Sequence, residues 1–497
     1  MKGDLAESVV SRLLSHAASH PDAPAIVDER RTVTYVEFSR MVLAAAARMH
    51  RFGVRAGHTV ALSLGAREHA TEWVCCLYAA GYLGAMALPL LPDFPSPRRR
   101  WLAERFAAQW FVDTEPKDAP TGSTMLALGD LTRATAASEA SAPPRGDLPG
   151  QPFHYQFSSG TTGEPKVVLF SHQQLCAGSL ATLGHYGLGA ADRLLTAVPA
   201  PEKLGFLYLI RMLAAGGTLI NLPLPGSRQA LGELVGRLGI TAACASPWQL
   251  RRLMQTAPDP GTGYRRLRAL ACIGAMVSAD EVRAFREGLA PNLYVSYSST
   301  ECCGIALLAP QDDAGDGYAP YSDVDLQVVD ARNAALPAGA TGAIRVRVPS
   351  MAAAYVGNPA ATERRFRDGW FYPGDAGYLD ARGRLFVAGR DDGAINYGGA
   401  KIMPEEVEAA LLTCPGVADA VVTSVPDAMA GEIPVAFVVL VPPATLEAVK
   451  AFCVERIDAA SIPAAILSVE RMPRATDGKV ERARLKEYVR SHIVHSR

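Results

Sequence analysis

The stretch "HYQFSSGTTGEPK", His154 to Lys166, begins as an apolar strand pattern and runs into a loop of hydroxyls and glycines that ends in one lysine. Around it the chain keeps an α/β rhythm. Upstream, "TVTYVEFSRMVLAAAARMHRFGV" predicts a short strand, then an amphipathic helix ending near Gly53. "HTVALSL" and "MALPL" are strands on either side of the helix pattern "GAREHATEWVCCLYAAGYLGA". Downstream, "RLLTAVP", "GTLINLP", "TAACASP" and "LRALACIG" are strands separated by helical patterns. Strands alternating with helices predict mostly parallel, doubly wound sheets. Residues 115 to 150, rich in Ala, Ser, Thr, Pro and Gly, are expected to be a surface excursion.

The grammar changes twice. "DVDLQVVDARNAALPAGATGAIRVRVPSM" alternates apolar and polar residues around turn formers, which predicts an antiparallel β region. After Arg390 comes a compact α+β pattern. The fold class expected is therefore α/β: a large N-terminal domain, 1–391, with doubly wound sheets plus an antiparallel β region, and a small α+β C-terminal domain, 392–497. A length of 497 residues suits more than one core.

Composition narrows the function. A formal net charge of -1 leaves no basic field for nucleic acid or an anionic membrane surface. Nine scattered cysteines, with no CxxC, suit a reduced, cytoplasmic protein. The N-terminus lacks a signal-peptide core. Trp73 to Pro92 carries no charge and nearly spans a bilayer in length. Gly81, Gly84 and Pro89 punctuate it, so a buried helix feeding a buried strand is expected rather than a membrane span.

Gly160 and Gly163 let backbone amides face an anion, Ser158, Ser159, Thr161 and Thr162 add hydroxyl donors, and Lys166 adds a charge. Such a loop suits polyphosphate. It is not the GxxxxGK[ST] loop, because Glu164 and Pro165 precede the lysine and Val167 follows it. Four further stretches carry chemistry: "SYSSTE" (Ser296 to Glu301), "GWFYPGDAGYLD" with Asp375, "GRDDGAINYGGAKIMPEEVEAAL" with Arg390, and "PRATDGKVER" with Lys479.

These five stretches, in this order, resemble the adenylate-forming superfamily of acyl-CoA synthetases, aryl-acid ligases, peptide-synthetase adenylation domains and beetle luciferases. The resemblance runs from about residue 7 to 488. It implies an acyl-CoA synthetase-like fold whose small C-terminal domain rotates between two half-reactions. A carboxylate attacks the α-phosphorus of ATP, pyrophosphate leaves, and a thiol of CoA or of an acyl carrier protein's phosphopantetheine then displaces AMP. The resemblance makes Thr161, Thr162 and Lys166 grips for the β- and γ-phosphates, and Tyr297 the adenine-stacking ring. Thr300 would touch the α-phosphate, Glu301 would hold Mg²⁺, and Asp375 and Arg390 would hold the ribose. Lys479 would bridge the substrate carboxylate and the α-phosphate. Asp392 would be the hinge, and Gly398 and Gly399 would let pantetheine pass. A scaffold protein without catalysis has no need of both Lys166 and Lys479.

The acid pocket is expected near Phe206, Trp248, Gly274, Ala275, Met276, Ser298 and Gly304. No aspartate for an α-amino group stands in this region unless Glu202 substitutes, so an aryl or medium aliphatic acid is expected. Four departures stand out: Ser298 for the family's glycine, Val167 for glycine, Pro373 for threonine, and Pro201, Glu202 and Lys203 where relatives carry a histidine or aromatic gate. The partners implied are a small carboxylic acid with CoA or a carrier protein. A monomer and a homodimer both stay open.

Overall fold

The computed structural model describes residues 7–64, 68–90, 94, 96–114, 122–132, 149–158, 166–198, 200, 202–257, 263–274, 276–390, 393, 395–397, 400–402, 404–427, 431–457, 461–475 and 478–493. Their strands form four sheets.

In one six-stranded sheet, Thr59–Ser63 lies between Met86–Pro89 and Ala108–Asp113, all parallel. Pro152–Ser158 joins parallel beside Met86–Pro89 and pairs antiparallel with Lys166–Ser171, so that Ser158 stands opposite Lys166. The hydroxyl- and glycine-rich loop is thus bracketed by a hairpin. Within the stretch expected to be a surface excursion, Thr124–Ala127 forms a further strand of this sheet, parallel to Ala108–Asp113. Its four residues are too few to stand out from a small-residue background.

Every residue of the helix Ala70–Tyr82 is buried, and the strand Met86–Pro89 follows, as expected for the uncharged segment. The buried Glu72 accepts from Arg30 at 2.6 Å. Gly81 is required there: a Cβ would come within 2.5 Å of the Phe153 ring. Among the described residues no helix is long and apolar enough to cross a membrane.

The nine-stranded sheet has a parallel centre of six strands. In order across it these are Leu293–Ser299, Ala269–Ile273, Ala242–Ala245, Arg193–Thr196, Thr218–Ile220 and Pro24–Val27. Cys303–Leu308 extends one edge antiparallel, and Thr32–Thr34 extends the other. The first strand of the chain therefore pairs on one side with its neighbour Thr32–Thr34 and on the other with Thr218–Ile220, far along the chain. That long-range pairing leaves no local trace. The helix Tyr35–Phe52 starts on a Thr34/Glu37 capping box and ends at Gly53, where φ is +111°, close to the expected limits.

A third sheet is antiparallel and contains Asp325–Val329, Gly342–Arg347, Asp375–Leu379 and Leu385–Arg390. The fourth, formed after residue 390, pairs Val417–Asp427 with Gly431–Leu440 and adds Ile395–Tyr397, Ala400–Ile402 and Ala465–Ser468. Alternate residues serve its two faces. Val422 and Val438 pack with Leu411 and Val449, whereas Val421 and Phe437 pack with Leu485 and Val489.

His154, on the strand that leads to the loop, is fully buried and stacks on Phe206 at 3.7 Å. Burial pushes its imidazole down to about 3, against a smaller upward pull from Gln156. The native state thus refuses a proton that the unfolded chain accepts below about pH 6.5. Stability from this group is complete above that value and is lost as pH falls toward 3, at up to about 1.4 kcal/mol per pH unit. Urea unfolding from pH 7 to pH 4 should show this slope, and His154→Gln should flatten it by about one proton.

Candidate active site

The core of the site lies at the end of the strand Leu293–Ser299, where the chain turns through Thr300 and Glu301 into Cys303–Leu308. Thr300 and Glu301 are both buried, and Cys303 takes a left-handed backbone with φ of +65°. The turn is clamped from two sides. Ser299 Oγ accepts from the Cys302 amide at 3.1 Å, and the Glu301 carbonyl accepts from the Ala352 amide at 2.8 Å.

Tyr355 joins two of the expected groups. Its hydroxyl donates to Glu301 Oε1 at 2.7 Å, and the Lys166 ammonium sits 5.5 Å from its ring centre. Burial and the Glu301 carboxylate push the phenol well above its usual range, so it stays a donor. The backbone holds this arrangement, because the Val356 amide donates to the Val167 carbonyl at 2.7 Å beside Lys166. Tyr355 was missed in the sequence, since "MAAAYVGNP" matches none of the expected motifs. Among the described residues, Glu301 Oε2 has no hydrogen-bond partner, and no cluster of three metal-ligating side chains forms. One half-free carboxylate suits Mg²⁺, which keeps several waters and takes further oxygens from substrate phosphates. Tyr355→Phe should cost about 1–3 kcal/mol of stability, because a buried carboxylate oxygen loses its donor. It should also raise the Mg²⁺ concentration needed for pyrophosphate release; titrations of both proteins check this.

Two of the three groups expected around the nucleoside also meet. The Tyr297 hydroxyl donates to Asp375 Oδ2 at 2.5 Å. Asp375 stands opposite Arg390 in the antiparallel pairing, so the strand pair carries both residues to one end.

Lys479 arrives from the far end of the chain. Gly478, at φ of +82°, packs so closely on the helix Pro247–Met254 that a Cβ would come within 3.2 Å of Ser246 Oγ and 3.5 Å of the Trp248 ring. The Arg474 guanidinium lies 5.9 Å from the Trp248 ring centre. Glycine at 478 thus serves both the left-handed turn and the close docking. Lys479 acts electrostatically on Lys203, the first residue of the helix Lys203–Ala215. Burial, then repulsion from Lys479, push the Lys203 ammonium down to about 8, against an upward pull from Glu301. The stretch where relatives carry a gate therefore adds a second cation within electrostatic reach of the Thr300–Glu301 turn. Glu202 caps this helix only through its backbone and is itself buried.

The expected acid-pocket residues divide. Ser298 and Gly304 stand opposite one another across the hairpin. Gly304 touches Tyr321 so closely that a Cβ would fall 2.1 Å from the ring. Trp248 sits under the Gly478 turn. Phe206 is wholly enclosed against His154 and is a core residue here. Gly274 holds a left-handed turn with φ of +111°, and Met276 is 41% exposed. Ser159, Gly160, Thr161, Thr162, Gly163, Ala275, Asp392, Gly398 and Gly399 lie outside the described residues, as do the side chains of Ser158 and Arg390.

Residues 13–356 match the family model described as AMP-binding enzyme, and residues 406–479 match the AMP-binding enzyme C-terminal domain. A fatty acid–[acyl-carrier-protein] ligase, ScoC, of Streptomyces coeruleorubidus is 29% identical over 97% of this chain and 96% of its own. A 2-succinylbenzoate–CoA ligase of Bacillus licheniformis is 28% identical over 95% and 98%. The solved O-succinylbenzoate coenzyme A synthetase of Bacillus subtilis in complex with AMP superposes with a TM-score of 0.85 at 25% identity, covering 96% of this chain and 98% of that one. The same enzyme is also solved with ATP and magnesium ion, at a TM-score of 0.84.

Proposed function

The chain belongs to the AMP-binding enzyme family and is an AMP-forming ligase, and from that premise we propose that it activates an aryl or medium aliphatic carboxylic acid as its acyl-adenylate and passes the acyl group to CoA. The observation that carries the reading is the docked Gly478 turn, which brings Lys479 into electrostatic contact with Lys203 while Lys203 in turn feels Glu301.

In this reading Lys166 and the hydroxyl-rich loop bind the β- and γ-phosphates of ATP. Tyr297, Asp375 and Arg390 hold the nucleoside, with the Tyr297–Asp375 hydrogen bond fixing two of the three before ATP arrives. Glu301, oriented by Tyr355, would hold Mg²⁺, which when bound neutralises charge on the phosphate oxygens. Lys479 draws the acid's carboxylate toward the α-phosphorus and follows the charge as the carboxylate oxygen–phosphorus bond forms and pyrophosphate leaves. Its compact ammonium on a flexible stem suits that motion. Residues 392–497 then turn as a unit about Asp392, and Gly398 and Gly399 face the thiol. The thiol sulfur attacks the acyl carbon, AMP departs, and the thiol proton goes to solvent. The nine cysteines are all buried thiols, which supports a cytoplasmic setting.

A second acceptor has a specific observation behind it: the similar ScoC protein is named for loading an acyl carrier protein. Mass spectrometry of the protein with MgATP, pooled acids and CoA separates the two. An acyl-CoA that forms only when CoA is added, with AMP, supports the CoA ligase. An acyl-adenylate that persists with CoA present points to a carrier thiol instead.

A further inference from the structure

The short helix Pro359–Arg365 starts on the Asn358 side chain, which accepts from the Ala361 amide at 3.0 Å. It lies against Tyr355, the residue that orients Glu301. Thr362 Oγ1 accepts from the Tyr355 amide at 3.1 Å, and the Phe366 ring meets the Tyr355 ring at 5.3 Å. The helix ends on Arg365, a half-buried cation with neighbours on two sides.

On one side is the turn that leads into Asp375. The Arg365 carbonyl accepts from the Tyr372 amide at 2.8 Å, and Arg365 Nη1 donates to the Tyr372 carbonyl at 3.3 Å. The guanidinium then lies over Gly374: a Cβ there would fall 2.0 Å from Nη1 and 2.6 Å from both Cζ and Nη2. Gly374 has φ of +86°, so its missing side chain serves the left-handed turn and the guanidinium together. Asp375 follows directly, and its carboxylate accepts from Tyr297. On the other side is Tyr355. Burial, then Glu301, push its phenol up, and the Arg365 charge pulls it down. One side chain thus bridges the segment that orients Glu301 and the turn that carries Asp375. It lies upstream of the stretch "GWFYPGDAGYLD" and belongs to none of the five motifs.

We propose that Arg365 is a positioning residue for the nucleoside: by pinning the Gly374 turn it fixes where the Asp375 carboxylate meets the ribose hydroxyls. This rests on the ATP-binding reading above and deepens it. A turn built on glycine has backbone freedom to lose when a ligand orders it. The guanidinium removes that freedom beforehand, so the carboxylate is set before ATP arrives.

Isothermal titration of the full chain with the magnesium complexes of ATP, 2′-deoxyATP and 3′-deoxyATP reads the ribose grip with no acid present. Wild type should prefer ATP over at least one deoxynucleotide by about 10–100-fold in Kd. Arg365→Met should bind ATP about tenfold more weakly and cut that preference to about threefold or less. Arg365→Lys keeps the charge without the fork and should fall between the two. Gly374→Ala displaces the guanidinium without removing it. Adding Arg365→Met to Gly374→Ala should therefore weaken ATP binding by only about twofold more. In acid-dependent pyrophosphate exchange, Arg365→Met should raise the KM for ATP by about tenfold and leave kcat within a few-fold. An Arg365→Met protein that binds ATP more weakly yet keeps the whole hydroxyl preference overturns the proposal, because loosened packing would weaken all three nucleotides alike. A wild type that binds ATP and both deoxynucleotides equally also overturns it and leaves the ligase reading intact. A wild type that binds none of them overturns the ligase reading itself. If Arg365→Met folds poorly, Arg365→Lys decides the matter: a preference undiminished from wild type overturns the proposal.

Discussion

Lys479→Ala lowers acyl-adenylate formation by about 10²–10³-fold and leaves thiolysis of supplied acyl-adenylate within a few-fold of wild type. Negative charge from acid and phosphate converges in the first half-reaction, and a positioned ammonium binds that transition state more tightly than it binds either substrate. In the second half-reaction the acyl group leaves the phosphate, and the Gly478 turn no longer needs to lie on Ser246 and Trp248. The substitution also removes the repulsion that depresses the Lys203 ammonium, so Lys203 should stay charged to higher pH. Single-turnover measurement of each half-reaction separates the effects; equal losses in both would show that Lys479 is not specific to adenylation.

Glu301→Gln lowers pyrophosphate release by about 10²-fold at saturating Mg²⁺ and shifts the Mg²⁺ dependence to higher concentration. The change is nearly isosteric, so it tests charge with little change in packing. Glutamine can still accept from the Tyr355 hydroxyl through its amide oxygen, and the Glu301 backbone bond to Ala352 is untouched. Unfolding midpoints should therefore stay close to wild type while activity falls. Activity that survives with an unchanged Mg²⁺ requirement would place the metal on other groups.

What could be foreseen in the sequence was local. The strand leading into the loop, the helix ending at Gly53 and the buried uncharged segment all follow from periodicity and turn residues within one window. The pairing of Pro24–Val27 with Thr218–Ile220 does not, because two strands that meet across most of a domain share no local signal. The Tyr297–Asp375 contact was implied by two motifs with neighbouring roles. Tyr355 escaped notice because its importance comes from what it touches: Glu301 from one motif and Lys166 from another. The environment of Lys203 depends on a turn near the opposite end of the chain.

Acid-dependent exchange of labelled pyrophosphate into ATP by the wild-type protein tests the central claim most directly, because it reads adenylate formation without regard to the thiol. Label should enter ATP only when Mg²⁺ and a suitable acid are both present, and addition of the correct thiol should draw the adenylate onward. No exchange across a broad panel of acids, with ATP bound but its α–β bond intact, would contradict it.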